Sequence, residues 1–414
     1  MKLLHPLLAL ATTTSAALTY KGVDWSSLLM QEAAGHSYTG LNNQKAPLET
    51  ILASNGVNTV RQRLWANPRD GTYNLDYNLR LARRAKAAGL KLYLDLHFSD
   101  TWADPAHQAP PSGWPSTSDV DALAWRLYNY TLETSNAFAA AGLPIALLSL
   151  GNEITAGTLF PAGQISKSGG AYNLARLLHS ASAGVKDSKL SPKPKLMLHL
   201  DNGWNYDTQM WWYDTVLKQG PLLASDYDVQ GVSYYPFYNE GATLAKLRSS
   251  LASMKQKYGK EVMVVGKLVS ILLPFVSFQI DFRFWRRRSR ARRHWHPFRV
   301  VGHRFRPHSR RLALSRPMKQ QRNPLTSYTP TETNWPTSCP SPKYAFPSDT
   351  KSIPFSAAGQ STWLKNVAAA GGTGLFYWEP AWVDNAALGS SCASNTMFEY
   401  GGKALSSLAT FKEL

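Results

Sequence analysis

Cysteine is almost missing from this chain: 414 residues hold two, Cys339 and Cys392. Two thiols cannot frame a disulfide-dense small domain, and no Cys/His cluster has the spacing of a structural metal site. In an oxidising compartment the two could close one disulfide around the last strand–helix unit; the alternative is a pair of buried thiols. Long apolar runs are missing too. The N-terminal stretch of Leu3, Leu4, Leu7, Leu8, Ala9, Leu10 and Ala11 falls short of the about 20 residues that a bilayer span needs. It follows the positive Met1-Lys2 and precedes the small residues Ser15-Ala16-Ala17, so residues 1–16 read as a secretory signal, with a buried first helix as the alternative. Asn129-Tyr130-Thr131 is a glycosylation acceptor pattern compatible with secretion. Acidic residues are scarce, 27 against 45 Lys and Arg, which gives a net charge of +18. That balance suggests a nucleic-acid partner, but its distribution argues against one. Residues 266–331 hold 16 basic side chains and one acid, Asp281, and so carry +15; the rest of the chain carries +3.

Apolar residues are plentiful at 44%, enough for a large core, and aromatics are abundant, with 14 Trp, 19 Tyr and 15 Phe. A phrase repeats along the chain: amphipathic helix, glycine, apolar strand. Leu79–Ala88 stops at Gly89 before Leu90–Leu96; Asp121–Ala141 stops at Gly142 before Pro144–Leu150. Ala242–Tyr258 stops at Gly259 before Glu261–Val265; Ser361–Ala370 stops at Gly371-Gly372 before Gly374–Trp378. Glycine supplies the left-handed turn that ends a helix, and strands apolar on both faces belong to buried parallel sheets. With Thr19–Val23, Asn58–Leu64, Lys195–Leu200 and Val229–Tyr234 the strands number eight. Eight strands alternating with helices predict an α/β fold, a single (β/α)₈ barrel, over residues 17–265 and 332–414.

The polar residues cluster at strand ends, in Arg61-Gln-Arg-Leu-Trp65, Asp95-Leu-His97, Gly151-Asn-Glu153, His199-Leu-Asp201, Ser233-Tyr-Tyr235 and Tyr377-Trp-Glu379. Barrel active sites form at the C-terminal ends of strands, and buried polar groups in phase cost stability unless they serve a site. Glu153 closes strand four directly after Asn152. Such a pair suits glycosidic cleavage, the amide holding a sugar hydroxyl while the carboxyl reaches the glycosidic oxygen. The alternative is a carboxylate that only complements a helix start. Glu332, in Glu332-Thr-Asn-Trp-Pro336, reads on its own as a loop glutamate.

Taken together, Leu18-Thr-Tyr-Lys-Gly-Val-Asp24, Val60–Trp65, Tyr93–His97, Asp100-Thr-Trp-Ala-Asp-Pro105, Gly151–Ile154, Gly231–Tyr238, Glu332–Pro336 and Tyr377–Trp382 resemble the fungal members of glycoside hydrolase family 53. The resemblance covers Ala17 to Val265 and Glu332 to Leu414. It implies endo-acting hydrolysis of β-1,4-galactan in pectin by a retaining double displacement, with no cofactor, by a secreted monomer that uses neither nucleic acid nor membrane. It implies Glu153 as acid/base and Glu332 as nucleophile. Asn152 would bind a sugar 2-hydroxyl. Arg61 or Arg63, with Tyr234, would hydrogen-bond the nucleophile, and His97, Trp102, Asp201, Trp204 and Trp378 would line the subsites. No ligand cluster matches the calcium site of some bacterial relatives. Two rivals stand beside this: another retaining endo-glycosidase of the same clan, a mannanase or cellulase, and a carbohydrate-binding barrel without activity.

One departure matters. In the family the glutamate follows strand seven directly; here residues 266–331 intervene, and they resemble nothing in it. Gly266-Lys267 can be encoded by GGTAAG, which holds a splice donor, and Thr331-Glu332 by ACAGAG, which holds an acceptor. Joining them restores a glutamate codon in frame. The segment is therefore expected to be a retained intron or, if translated, a disordered basic insertion that leaves Glu332 on a tether.

Overall fold

The computed structural model of the chain describes residues 17–236, 239–267, 347–354, 356–384 and 396–414. Eight parallel strands close a barrel: β1 (Tyr20–Asp24), β2 (Thr59–Leu64), β3 (Lys91–Leu96), β4 (Leu147–Leu150), β5 (Lys195–Leu200), β6 (Val229–Tyr234), β7 (Glu261–Lys267) and β8 (Gly374–Tyr377). Each strand pairs with its neighbour in the chain, and β8 returns to β1. The expected (β/α)₈ barrel is the observed one, and each expected strand lies within a residue of its place, save at the start of β4 and the end of β7. A two-stranded antiparallel ribbon, Gly157–Thr158 with Gly163–Gln164, extends the loop after β4.

Among the described residues the helices around the barrel are α1 (Leu28–Ala33), α2 (Leu48–Ser54), α3 (Leu75–Ala87), α4 (Val120–Ala140), α5 (Gly170–Asp187), α6 (Tyr206–Leu217), α7 (Leu244–Tyr258) and α8 (Ala357–Ala369), and α3, α4, α6, α7 and α8 begin at side-chain caps. Asn74 accepts from the Tyr77 amide ahead of α3 (Leu75–Ala87), Asp119 from Ala122 ahead of α4 (Val120–Ala140), and Thr243 from Lys246 ahead of α7 (Leu244–Tyr258). These bonds satisfy amides that the first helical turn leaves without a partner. Gly89, Gly142, Gly259 and Gly371, the expected stops, all have positive φ.

Among the described residues two apolar cores result. The larger lies between the sheet and its helices. The smaller plugs the barrel and contains Tyr20, Tyr93, Leu147, Met197, Val229, Met263, Val265 and Phe376. Glycine makes room in this plug. A methyl at Gly22 would sit 2.2 Å from the Phe376 ring, so the missing side chain on β1 is what leaves room for that ring in the plug.

Above the plug the inward positions turn polar: Asp24, Arg61, Arg63, Asp95, His97, Ser149 and His199 are all buried. Alternation along each strand puts them all on the inner face, since successive side chains point to opposite faces. The same alternation corrects one expectation. Tyr234 points outward, stacks on Trp363 with ring centroids 5.6 Å apart, and donates to the Ala242 carbonyl at 2.7 Å. It packs under α8 (Ala357–Ala369) and does not reach the barrel mouth. Glu332, Cys339, Cys392, residues 1–16 and residues 268–331 lie outside the described residues.

Gly22→Ala should overpack the plug and cost about 1–3 kcal/mol, read as a lowered midpoint of thermal unfolding. Phe376→Leu in the Gly22→Ala background should return part of the loss; independent, additive losses would show that the ring is not the obstacle.

Candidate active site

The mouth is built around one buried cation. The Arg61 guanidinium donates to Asp24 at 2.6 Å, Asp95 at 2.5 Å and Asn152 at 2.8 Å. This ties β1, β2, β3 and the β4 end together. Asn152 also donates to the Ala103 carbonyl at 2.7 Å, so both ends of its amide are fixed. Arg63, two residues on and facing the same way, pairs with Glu379 at 2.8 Å. Its guanidinium lies 4.3 Å from the Tyr73 ring and just over 5 Å from those of Trp102 and Trp382. Glu379 also accepts from the Ser27 amide at 3.0 Å and hydroxyl at 2.6 Å. Both arginines are thus committed to other carboxylates, and Arg61 reaches Glu153 only through its neighbour Asn152.

Glu153 follows β4 in left-handed backbone, φ 49° and ψ 50°, a conformation that non-glycine residues adopt rarely and mostly at functional sites. The turn lifts its carboxyl into the mouth. Burial pushes this carboxyl up to about 8, and the charge of Asp201 pushes the same way. Ser233 on β6 donates to Oε1 at 2.5 Å. A serine has one hydroxyl hydrogen, so its oxygen must accept from His199, whose Nε2 lies 2.9 Å away. His199 is therefore the Nε2–H tautomer, and burial holds its pKa down at about 3. With Oε1 occupied as an acceptor, Oε2 is left to carry the acid's proton. His97 is fixed in the same manner. Its Nδ1 accepts from the Trp65 indole at 3.2 Å and the Ala103 amide at 3.1 Å, which leaves the proton on Nε2, 3.3 Å from Asp95.

Aromatic rings line the other side. Trp102 meets His97 edge to face at 5.5 Å and Trp378 at 6.1 Å, and Trp378 lies 6.1 Å from Trp382. Trp204 sits at the rim, donating to Asn202 at 3.3 Å under the Lys246 ammonium. Flat faces of this kind suit the apolar faces of sugar rings. Arg61, Arg63, His97, Trp102, Asn152, Glu153, Asp201 and Trp378 thus gather at one mouth, while Tyr234 does not. Ser233, Tyr235, His199, Asp95, Glu379 and Trp382 join them. Tyr235 was findable by counting: on β6 the inward set is Val229, Gly231, Ser233 and then Tyr235.

A closed parallel barrel with a proton-holding glutamate at the end of strand four, flanked by an asparagine and a wall of tryptophans, defines a glycosidase-type barrel. The family model described as "Glycosyl hydrolase family 53" matches residues 20–272 and 326–411, and the chain belongs to that family. An arabinogalactan endo-beta-1,4-galactanase of Humicola insolens is 52% identical over 403 residues, covering 96% of this chain and all of its own. One from Aspergillus niger is 46% identical over 420 residues, covering both chains in full. A solved fungal beta-1,4-galactanase structure is 52% identical, covers 96% of this chain and 100% of its own, and superposes with a TM-score of 0.77.

The raised carboxyl carries a stability signature. An unfolded glutamate ionises near 4.5, whereas folded Glu153 keeps its proton to about 8. Between these values the native state binds the extra proton, so its stability falls as pH rises. Glu153→Gln should therefore melt a few degrees above the parent at pH 7.5, the gap closing by pH 4; a constant gap would contradict the assignment. Asp201→Asn should shift the alkaline limb of the activity profile to lower pH, because it removes a charge that disfavours ionised Glu153.

Proposed function

We propose that this chain is a secreted, monomeric endo-β-1,4-galactanase that cleaves pectic galactan with retention of anomeric configuration. The observation that carries the reading is the state of Glu153. It is a carboxyl held protonated to about pH 8, aimed from a left-handed turn at the end of β4, with Asn152 locked beside it. A general acid must hold its proton at working pH and release it to the leaving oxygen, and burial beside Asp201 achieves the first requirement.

In the first step Glu153 protonates the glycosidic oxygen from Oε2 while Glu332 attacks the anomeric carbon. In the second, Glu153 as carboxylate takes a proton from water, which displaces Glu332. Asn152 holds the 2-hydroxyl, Asp201, His97 and Trp204 bind neighbouring hydroxyls or faces, and Trp102 and Trp378 stack on the sugars. The galactan specificity rests on the relatives, which are named for it and share about half of all residues with this chain. Membership of the family covers nearly all of the barrel but passes over 273–325, which supports reading 266–331 as a segment foreign to the enzyme, a retained intron. Asn129 is exposed on α4 and would take a glycan, and Cys339 with Cys392 would form a disulfide.

The chain lacking residues 266–331 should release reducing ends from β-1,4-galactan and little from mannan or carboxymethylcellulose. The reverse preference would refute the galactan assignment. Glu153→Gln in that chain should lower kcat by about 10²–10⁴-fold while oligogalactoside binding persists. The full-length chain should be largely inactive on galactan, since a displacement of about 1 Å already costs about a hundredfold.

A further inference from the structure

The resemblance offers Arg61 or Arg63 as the nucleophile's partner, but the neighbours of Arg63 point to a different task; the following rests on the galactanase reading of the same mouth. Nη2 of Arg63 lies 2.8 Å from Glu379 Oε1 and donates to the Tyr73 hydroxyl at 2.9 Å. Nε and Nη1 have no hydrogen-bond acceptor among the described residues, and Nη1 comes within 3.7 Å of Asp24. The rest of the cation is met by rings: its carbon lies 4.3 Å from the centre of Tyr73, 5.4 Å from that of Trp102 and 5.3 Å from that of Trp382. A desolvated cation is attracted to the negative face of such rings. These rings belong to one circuit. Trp65 meets Tyr73 edge to face at 4.7 Å and gives its indole hydrogen to His97; His97 meets Trp102, Trp102 meets Trp378, and Trp378 meets Trp382. Arg63 closes the circuit, because it touches both ends, Tyr73 and Trp382. Glu379 secures the second end. Its backbone is left-handed, φ 44°, its carboxyl is held by Arg63 and Ser27, and its carbonyl accepts from the Trp382 amide at 3.3 Å. Trp102 and Trp382 are half-buried, each with surface left for a ligand. Arg63 is 1% exposed, so a sugar meets the rings and not the arginine.

We propose that Arg63 is a positioning residue: its guanidinium sets the tilt and spacing of Trp102 and Trp382, the half-exposed rings that grip the galactan chain, and it does not serve the reacting carboxylates. The two arginines of β2 thereby divide the mouth. Arg61 carries the hydrogen bond to Asn152 beside the acid, whereas the close partners of Arg63 are Glu379, Tyr73, Trp102 and Trp382, on the aromatic side. A lysine at position 63 would keep the charge but lose the flat fork, and a point charge on a flexible stem cannot lie against three rings at once. The wall would then be free to tilt.

Titration calorimetry with β-1,4-galactotetraose tests this in the Glu153→Gln background, which consumes no sugar, with the full-length protein and the chain lacking 266–331. Arg63→Lys should raise Kd on the order of tenfold and weaken the near-ultraviolet circular dichroism of the tryptophans. Trp102→Phe should weaken binding in the parent but little further in Arg63→Lys, whose seat for the ring is already lost. A merely structural arginine would give independent, additive losses instead. Arg63→Met with Glu379→Gln removes both partners together, so neither charge is left buried alone. This double variant should bind as weakly as Arg63→Lys, and it carries the test if the lysine variant does not fold. With Glu153 restored in the shortened chain, Arg63→Lys should raise KM more than it lowers kcat and leave the pH profile in place. Parental Kd in both Arg63 variants, or additive losses with Trp102→Phe, would overturn the proposal and leave the galactanase reading standing. A fall in kcat at parental KM with a displaced pH profile would overturn it too, by putting Arg63 to work on the carboxylates. Galactotetraose bound by neither parent chain would sink the galactanase reading, and the wall's part in it as well.

Discussion

The structure depends on a guanidinium that cannot leave. Arg61 is buried in the barrel mouth with carboxylates on two sides and the Asn152 side-chain carbonyl on a third. A buried charge without partners would cost several kcal/mol, and one with well-placed partners roughly breaks even, so this cluster is poor at adding stability and good at fixing positions. It fixes the end of β4. Because Asn152 is held at both ends of its amide, the next residue has little freedom. The left-handed turn at Glu153 is the shape the backbone must take to leave that anchor.

What surrounds the anchor includes two glutamates of similar burial, and burial pushes both carboxyls up to about 8. Glu379 meets a guanidinium and two Ser27 donors, which favour its charged form and work against that push. Glu153 meets one serine hydroxyl, and the charge of Asp201 works with burial. The two side chains therefore differ in their partners: Glu379 is held by a cation, whereas Glu153 sits in the field of another carboxylate. The histidines contribute by staying neutral. His97 and His199 each have a tautomer dictated by their donors, so each is a directional hydrogen-bond group and neither adds charge to the mouth.

Most of the barrel was legible in the sequence because its signals are local. Apolar strands announced burial on both faces, and glycines such as Gly89 and Gly259 marked helix ends through their backbone freedom. Glu153 was legible because Asn-Glu stood at the end of a strand. Tyr234 was misassigned for a reason of geometry: a strand shows its alternation only when the inward set is anchored, and Tyr234-Tyr235 offers the same ring on either face. The Ser233–His199 chain behind Glu153 joins residues 34 apart and depends on a contact between neighbouring strands, which no linear pattern reports. A bulge in β7, where Val232 is opposite Val264 but Ser233 is opposite Gly266, was equally silent. Nothing in Glu261-Val-Met-Val-Val-Gly266 distinguishes a regular strand from one that skips a pairing.

That skipped pairing makes β7 behave like a ratchet with two teeth. Adding or removing a single residue between Met263 and Gly266 would swap which side chains face the axis and which face the helices, whereas a change of two would leave both sets in place. Length variation in this strand among functional descendants should therefore come in even steps, or be matched by loss of the bulge itself.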